Sequence, residues 1–142
     1  MLETIIKAAE NFCIHQIREP YTISQRLEKK RTLIAYIDIE TVGSTQYRVY
    51  IAFDPLFVQK IAKVFLEEDE SDEETLIDMA LETVNLIVGN AKVLVQSTQK
   101  GSFNIETPHF VKFDTFSMVG KVAQVFTIDS HTMTIAIKEL DG

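Results

Sequence analysis

Ser71-Asp72-Glu73-Glu74-Thr75-Leu76-Ile77-Asp78-Met79-Ala80-Leu81-Glu82-Thr83-Val84-Asn85-Leu86-Ile87-Val88-Gly89-Asn90-Ala91-Lys92 is the stretch on which the fold turns. It holds no proline, and its periodicity runs on to about Gln96. Ser71 followed by Glu74 has the spacing of a capping box, which predicts a helix start here. With each residue advancing about 100° around a helix, Leu76, Ala80, Val84, Ile87, Ala91 and Leu94 fall on one side as a core stripe. Asp78, Glu82, Asn85, Gly89 and Lys92 fall within roughly a quarter of the circumference on the other side, as one solvent-facing row. A long helix with one apolar stripe needs another layer to cover it.

The flanking sequence supplies that layer. Thr32 to Glu40 and Thr45 to Phe53 alternate apolar and polar residues with β-branched enrichment, and Thr41-Val42-Gly43-Ser44 separates them, which predicts a hairpin. Asp54-Pro55 is a capping residue followed by proline at the first helical position, opening a second helix that ends near Leu66. Leu2 to Arg18 carries Leu2, Ile5, Ile6, Ala9, Phe12, Cys13 and Ile17 at helical spacing, a first helix. Beyond Lys100-Gly101, strands are predicted around Ser102 to Glu106, Lys121 to Ile128 and Thr132 to Lys138, the last two joined through Asp129-Ser130-His131. Strands that follow one another through short turns imply an α+β fold, an antiparallel β-sheet packed against long α-helices. No linker or low-complexity tract divides the 142 residues, so residues 1–142 are expected to form a single domain.

Composition excludes several classes of function. The formal net charge is −7, and from Glu67 to Glu74 only Ser71 is not acidic, which argues against nucleic acid as a partner. That acidic run reads as a solvated loop entering a helix N-terminus, where the helix dipole favours negative charge. No apolar run reaches the length of a membrane span, and Glu3 precedes any apolar stretch, so neither insertion nor secretion is expected. Cys13 lies among Phe12, Ile14 and Ile17 and reads as a buried thiol, which fits a reducing, cytoplasmic setting. His15, His109 and His131 lack ligand spacing, so no metal and no cofactor is expected on this chain.

The polar row is the candidate site. Any amphipathic helix has a polar face, and spacing alone leaves that ordinary explanation open. Asn85 and Gly89 resist it, because asparagine is a middling helix former and an interior glycine costs about 1 kcal/mol relative to alanine. A glycine beside Asn85 lets another backbone come close, and Met79 and Leu86 flank the row with apolar area. The face suits a protein partner.

The segment from Asp78 to Lys92 resembles the signature of the CheC/CheX/FliY chemotaxis phosphatase family: an Asp, then Glu, then Asn three residues on, then Gly-Asn-Ala-Lys, here Asp78, Glu82, Asn85 and Gly89-Asn90-Ala91-Lys92. The resemblance in layout extends over nearly the whole chain. The first helix has no second Glu-x-x-Asn, which places the resemblance nearest the single-site CheX branch and implies one active site per chain.

The resemblance implies dephosphorylation of a phosphorylated CheY-like response regulator, with Asn85 inserted at the phosphorylated aspartate and Glu82 anchoring the receiver. The chemistry fits, since an aspartyl phosphate is already activated and its hydrolysis mainly needs a water held in line and neutralised charge. A carboxamide can accept a hydrogen bond from that water, and a carboxylate one turn away can pair with a receiver lysine. Asp78, Met79, Leu86 and Gly89 are the expected partner-binding positions around catalytic Glu82 and Asn85. Any Mg²⁺ is expected on the receiver, and the resemblance also implies a homodimer formed through the sheets. Two rival readings stay open: a docking domain without catalysis, as in flagellar switch components, and a small-molecule binding domain in which the row is incidental.

Overall fold

The computed structural model describes residues 1–27, 29–98, 101–117 and 122–140. Helix α1 (Leu2–Phe12) widens into a π-helical turn at Cys13–Ile17, where the Arg18 N–H donates to the Cys13 carbonyl five residues back, and stops where Arg18 takes a left-handed conformation. Strand β1 (Thr22–Ser24) leads to the hairpin of β2 (Arg31–Thr41) and β3 (Gln46–Phe53), then helices α2 (Pro55–Leu66) and α3 (Glu73–Ser97). Strands β4 (Phe103–Ile105), β5 (His109–Thr115), β6 (Val122–Ile128) and β7 (His131–Leu140) close the chain. The α+β class, an antiparallel sheet against helices, is therefore as the sequence predicts. Lys121 and Lys100 lie outside the described residues.

All described strand pairs are antiparallel, in the order β1-β6-β7-β3-β2. The long β2 then takes two partners on its free edge, β4 against Ile39–Thr41 and β5 against Arg31–Tyr36. Register stacks the inner face in rows: Leu33, Phe53 and Met133; Ala35, Ile51 and Ile135; Ile37, Val49 and Ile137. All but Ile137 are fully buried under the helices. On the opposite face Ile34, Ala52, Ala123 and Ala136 form a smaller cluster with Phe116.

Local chemistry sets the helix boundaries. The Asp54 Oδ1 accepts from the Leu56 N–H at 3.1 Å, and Pro55 follows, which starts α2 as the sequence implies. The start of α3 differs by one residue from the expected cap. Asp72, not Ser71, is the N-cap, its Oδ1 accepting from the Thr75 N–H at 2.8 Å. Ser71 is engaged by Gln59 of α2 instead: its N–H donates to Gln59 Oε1 at 2.9 Å and its hydroxyl accepts from Nε2 at 3.2 Å. Those bonds tie the acidic loop to α2 and fix where α3 begins.

Candidate functional site on the exposed face of the long helix

Helix α3 packs on the sheet, on α1 and on α2. Ala80, Val84, Ile87, Val88 and Ala91 are fully buried, and the Thr83 hydroxyl, also buried, donates back to the Met79 carbonyl at 2.7 Å. Leu76 and Leu94, predicted for the same stripe, are half-buried against the core at the helix ends. The opposite face carries the row: Asp78, Glu82 and Asn85 are exposed, Gly89 and Lys92 half-exposed. Among the described residues none forms a hydrogen bond or ion pair with Asp78, Glu82 or Asn85, so their polar atoms face solvent. A core stripe on one side dictates a row on the other.

Gly89 has a specific feature. A β-carbon built on it meets nothing within 4 Å, and its φ lies outside the left-handed region. The protein's own packing therefore gives no reason for glycine at a position where alanine favours the helix by about 1 kcal/mol. What that position leaves is open space beside Asn85.

One of the expected partner-binding residues is misplaced. Met79 is 7% exposed and belongs to the main core cluster, so it offers no contact surface. Because α3 is covered by two helices as well as the sheet, its buried arc is wider than the stripe read from spacing, and Met79 and Thr83 fall inside it. Leu86, by contrast, is exposed where expected. Spacing along one helix also gave no sign that Asn90 would meet Asn11 of α1, whose Nδ2 donates to the Asn90 Oδ1 at 3.2 Å. A polar Asn90 one step from the row was the only hint.

The remaining titratable groups lie elsewhere. Burial, with some help from Glu10, pushes the Cys13 thiol up to about 12, an inert thiol in the core. His131 Nδ1 stands 3.5 Å from Asp54 Oδ2, which also receives Lys30 Nζ at 2.9 Å. Lys60 binds both Glu19 and Asp129, tying α2 to the segment after α1 and to the β6–β7 turn. Among the described residues no group of three or more His, Cys, Asp or Glu is arranged to hold a metal ion, and no helix is long and apolar enough to cross a membrane.

In this α+β scaffold Asp78, Glu82 and Asn85 lie exposed along one helix face, with no side-chain partner among the described residues. The family described as chemotaxis phosphatase CheX matches residues 35–131, and the chain belongs to that family. No curated protein matches the sequence. Among solved structures, the chemotaxis protein CheX of Vibrio vulnificus shares the fold with a TM-score of 0.78 at 18% identity, 98% of each chain being covered. A CheC-like superfamily protein from Shewanella sp. PV-4 has a TM-score of 0.77 at 22% identity, over 99% of this chain and 97% of that one. A chain of the CheX–CheY–BeF₃–Mg²⁺ complex from Borrelia burgdorferi has a TM-score of 0.70 at 16% identity, over 99% and 97%.

Proposed function

We propose that this chain hydrolyses the aspartyl phosphate of a CheY-like response regulator, with Asn85 orienting the attacking water and Glu82 anchoring the receiver. The observation that carries this is the pair itself: Glu82 and Asn85, one helical turn apart on α3, both exposed and both without a partner within the described chain, beside a glycine that the fold does not require. Family membership, and a related fold crystallised with CheY, supply the class of partner.

Water attacks phosphorus as the bond from phosphorus to the aspartyl oxygen breaks, so inorganic phosphate leaves and the receiver regains its carboxylate. The Asn85 carboxamide oxygen accepts a hydrogen bond from that water and fixes it in line. Having no titrating proton, the amide acts by position. Glu82 offers an exposed carboxylate to a receiver lysine, a charge-assisted contact that sets the register of the two proteins. The divalent ion, Mg²⁺, belongs to the receiver. Loss of label from a phosphorylated CheY-like receiver under single-turnover conditions tests the proposal. Acceleration over the receiver's own decay supports hydrolysis, whereas binding without acceleration would leave a docking domain.

A further inference from the structure

Beside the row, the first helical segment and α3 leave a cleft of about 350 Å³. Its base is Ala8 and Phe12, both buried, and its α3 wall is Leu86, 39% exposed. The Asn11–Asn90 bond crosses it, and exposed His15 lies on its rim. We propose that this cleft receives an apolar side chain of the same receiver that the row engages, which makes the first helical segment the second half of the docking surface. The inference rests on the proposed function and adds where, beyond the row, the partner is held.

The size of the row requires such an extension. From Asp78 to Lys92 is about 21 Å along the axis, and a helix face about 10 Å wide gives roughly 200 Å². A stable interface takes about 800 Å² from each partner. The receiver must therefore spread off α3, and the direction is set by where apolar surface is exposed. Measured from Glu82 at about 100° per residue, Asn85 lies near −60° and Lys92 near −80°, while Val93, Leu86 and Asn90 lie near +20°, +40° and +80°. Asn90 meets Asn11, so α1 stands on the positive side, and Leu86 and Val93, 39% and 58% exposed, lie between it and the row. Interface centres are the apolar, charge-poor part of a contact. Gly89, at about −20°, leaves nothing in the way.

The lining selects the occupant. Ala8, Phe12 and Leu86 form its apolar part, and the amides of Asn11, Gln16 and Asn90 and the His15 imidazole its polar part. It holds no carboxylate and no ammonium group, so a charged side chain entering it would meet no counter-charge from Asp, Glu, Lys or Arg. Each amide of the Asn11–Asn90 pair spends one end on the other, and among the described residues neither makes a further side-chain bond, which leaves Asn11 Oδ1 and Asn90 Nδ2 for the backbone that carries the occupant.

The test uses the full chain and a purified CheY-like receiver domain phosphorylated with acetyl phosphate. His15→Trp fills the cleft from an exposed position, so the fold should survive, as melting by circular dichroism will show. It should raise KM for the phosphorylated receiver about tenfold and leave kcat within twofold. Independently, Gln16→p-benzoyl-phenylalanine on the cleft rim should photocrosslink to the BeF₃⁻-activated receiver, while the same group replacing Lys138, exposed on β7, should not. A folded His15→Trp with wild-type KM, or no crosslink from position 16, overturns the cleft assignment while an active wild type keeps the phosphatase reading. A wild type that neither binds nor dephosphorylates the receiver overturns both.

Discussion

Replacing Gly89 by alanine should make the protein more stable and a poorer binder at once. The added β-carbon meets nothing within 4 Å, so neither a clash nor a packing gain enters, and the stability change reduces to helix propensity, about 1 kcal/mol in favour of alanine. With an unfolding entropy of about 2.1 cal/mol/K per residue, a chain of this length has roughly 0.3 kcal/mol/K, so Tm should rise by about 3 °C. Gly89→Leu should be similarly stable, since leucine is nearly as good a helix former, but its side chain would stand on the face proposed to meet the receiver. KM for the phosphorylated receiver should then rise about threefold for alanine and about tenfold or more for leucine, the latter equivalent to about 1.4 kcal/mol of binding. Urea denaturation and initial-rate kinetics on the same preparations read both quantities. A loss of stability on Gly89→Ala would show that the fold itself needs glycine there. A gain in stability with unchanged KM for both variants would remove Gly89 from the contact surface.

Glu82→Gln keeps size and helix propensity but deletes the proposed anchor charge, so KM should rise more than kcat falls, and saturating receiver should recover much of the rate. Screening acts over about 10 Å at 0.1 M salt, so wild-type activity should fall with added salt and the variant should respond less; parallel salt curves would refute the anchor. Away from the site, burial pushes the Asp54 carboxyl up, but hydrogen bonds from Lys30 and the Leu56 N–H, with the charges of Lys30 and His131, outweigh it and hold the group below the usual carboxylate range. A depressed carboxylate stabilises the fold above the unfolded value of about 4, and that contribution is lost as pH falls through the folded value. Asp54→Asn, which keeps a capping side chain, should therefore cost about 1–3 kcal/mol at pH 7, and the gap from wild type should close on acidification below about pH 4. A gap constant down to pH 2 in urea denaturation would contradict the linkage.

The helices and the β2–β3 hairpin were legible because their signals are local: a three-and-four repeat, a strict alternation, an Asp-Pro start. Strand β5 was not, and the reason is a bulge. Phe110 pairs with Ala35 and Lys112 with Ile34, leaving Val111 as the extra residue, so Phe110 and Phe113 reach the same side three positions apart. Their rings meet edge-on at 5.5 Å. A bulge of this kind erases the period of two on which strand recognition depends. Strand β1 is three exposed residues long and has no pattern to read. The N-cap of α3 moved to Asp72 because Gln59, twelve residues back in the sequence from Ser71, claims that serine.

The candidate site was legible to the extent that it lies on one helix. Glu82, Asn85 and Gly89 share a face by spacing alone, and Leu86 keeps its exposure. Met79 failed because its environment is set by neighbouring helices, not by its own. The cleft and the Asn11–Asn90 bond depend on the register of α1 against α3, across 79 positions of sequence, which no local pattern encodes.

In the proposed mechanism Asn85 is what lets a docked receiver lose its phosphoryl group. This role is tested most directly by mixing Asn85→Ala with a phosphorylated CheY-like receiver in single turnover and following the loss of phosphoryl label, with wild type alongside. Asn85 is exposed and makes no internal bond among the described residues, so the variant should fold and melt like wild type. It should bind the BeF₃⁻-activated receiver with near wild-type affinity, and label should disappear only at the receiver's own rate. Label lost at the wild-type rate from a folded Asn85→Ala would remove Asn85 from the hydrolytic step.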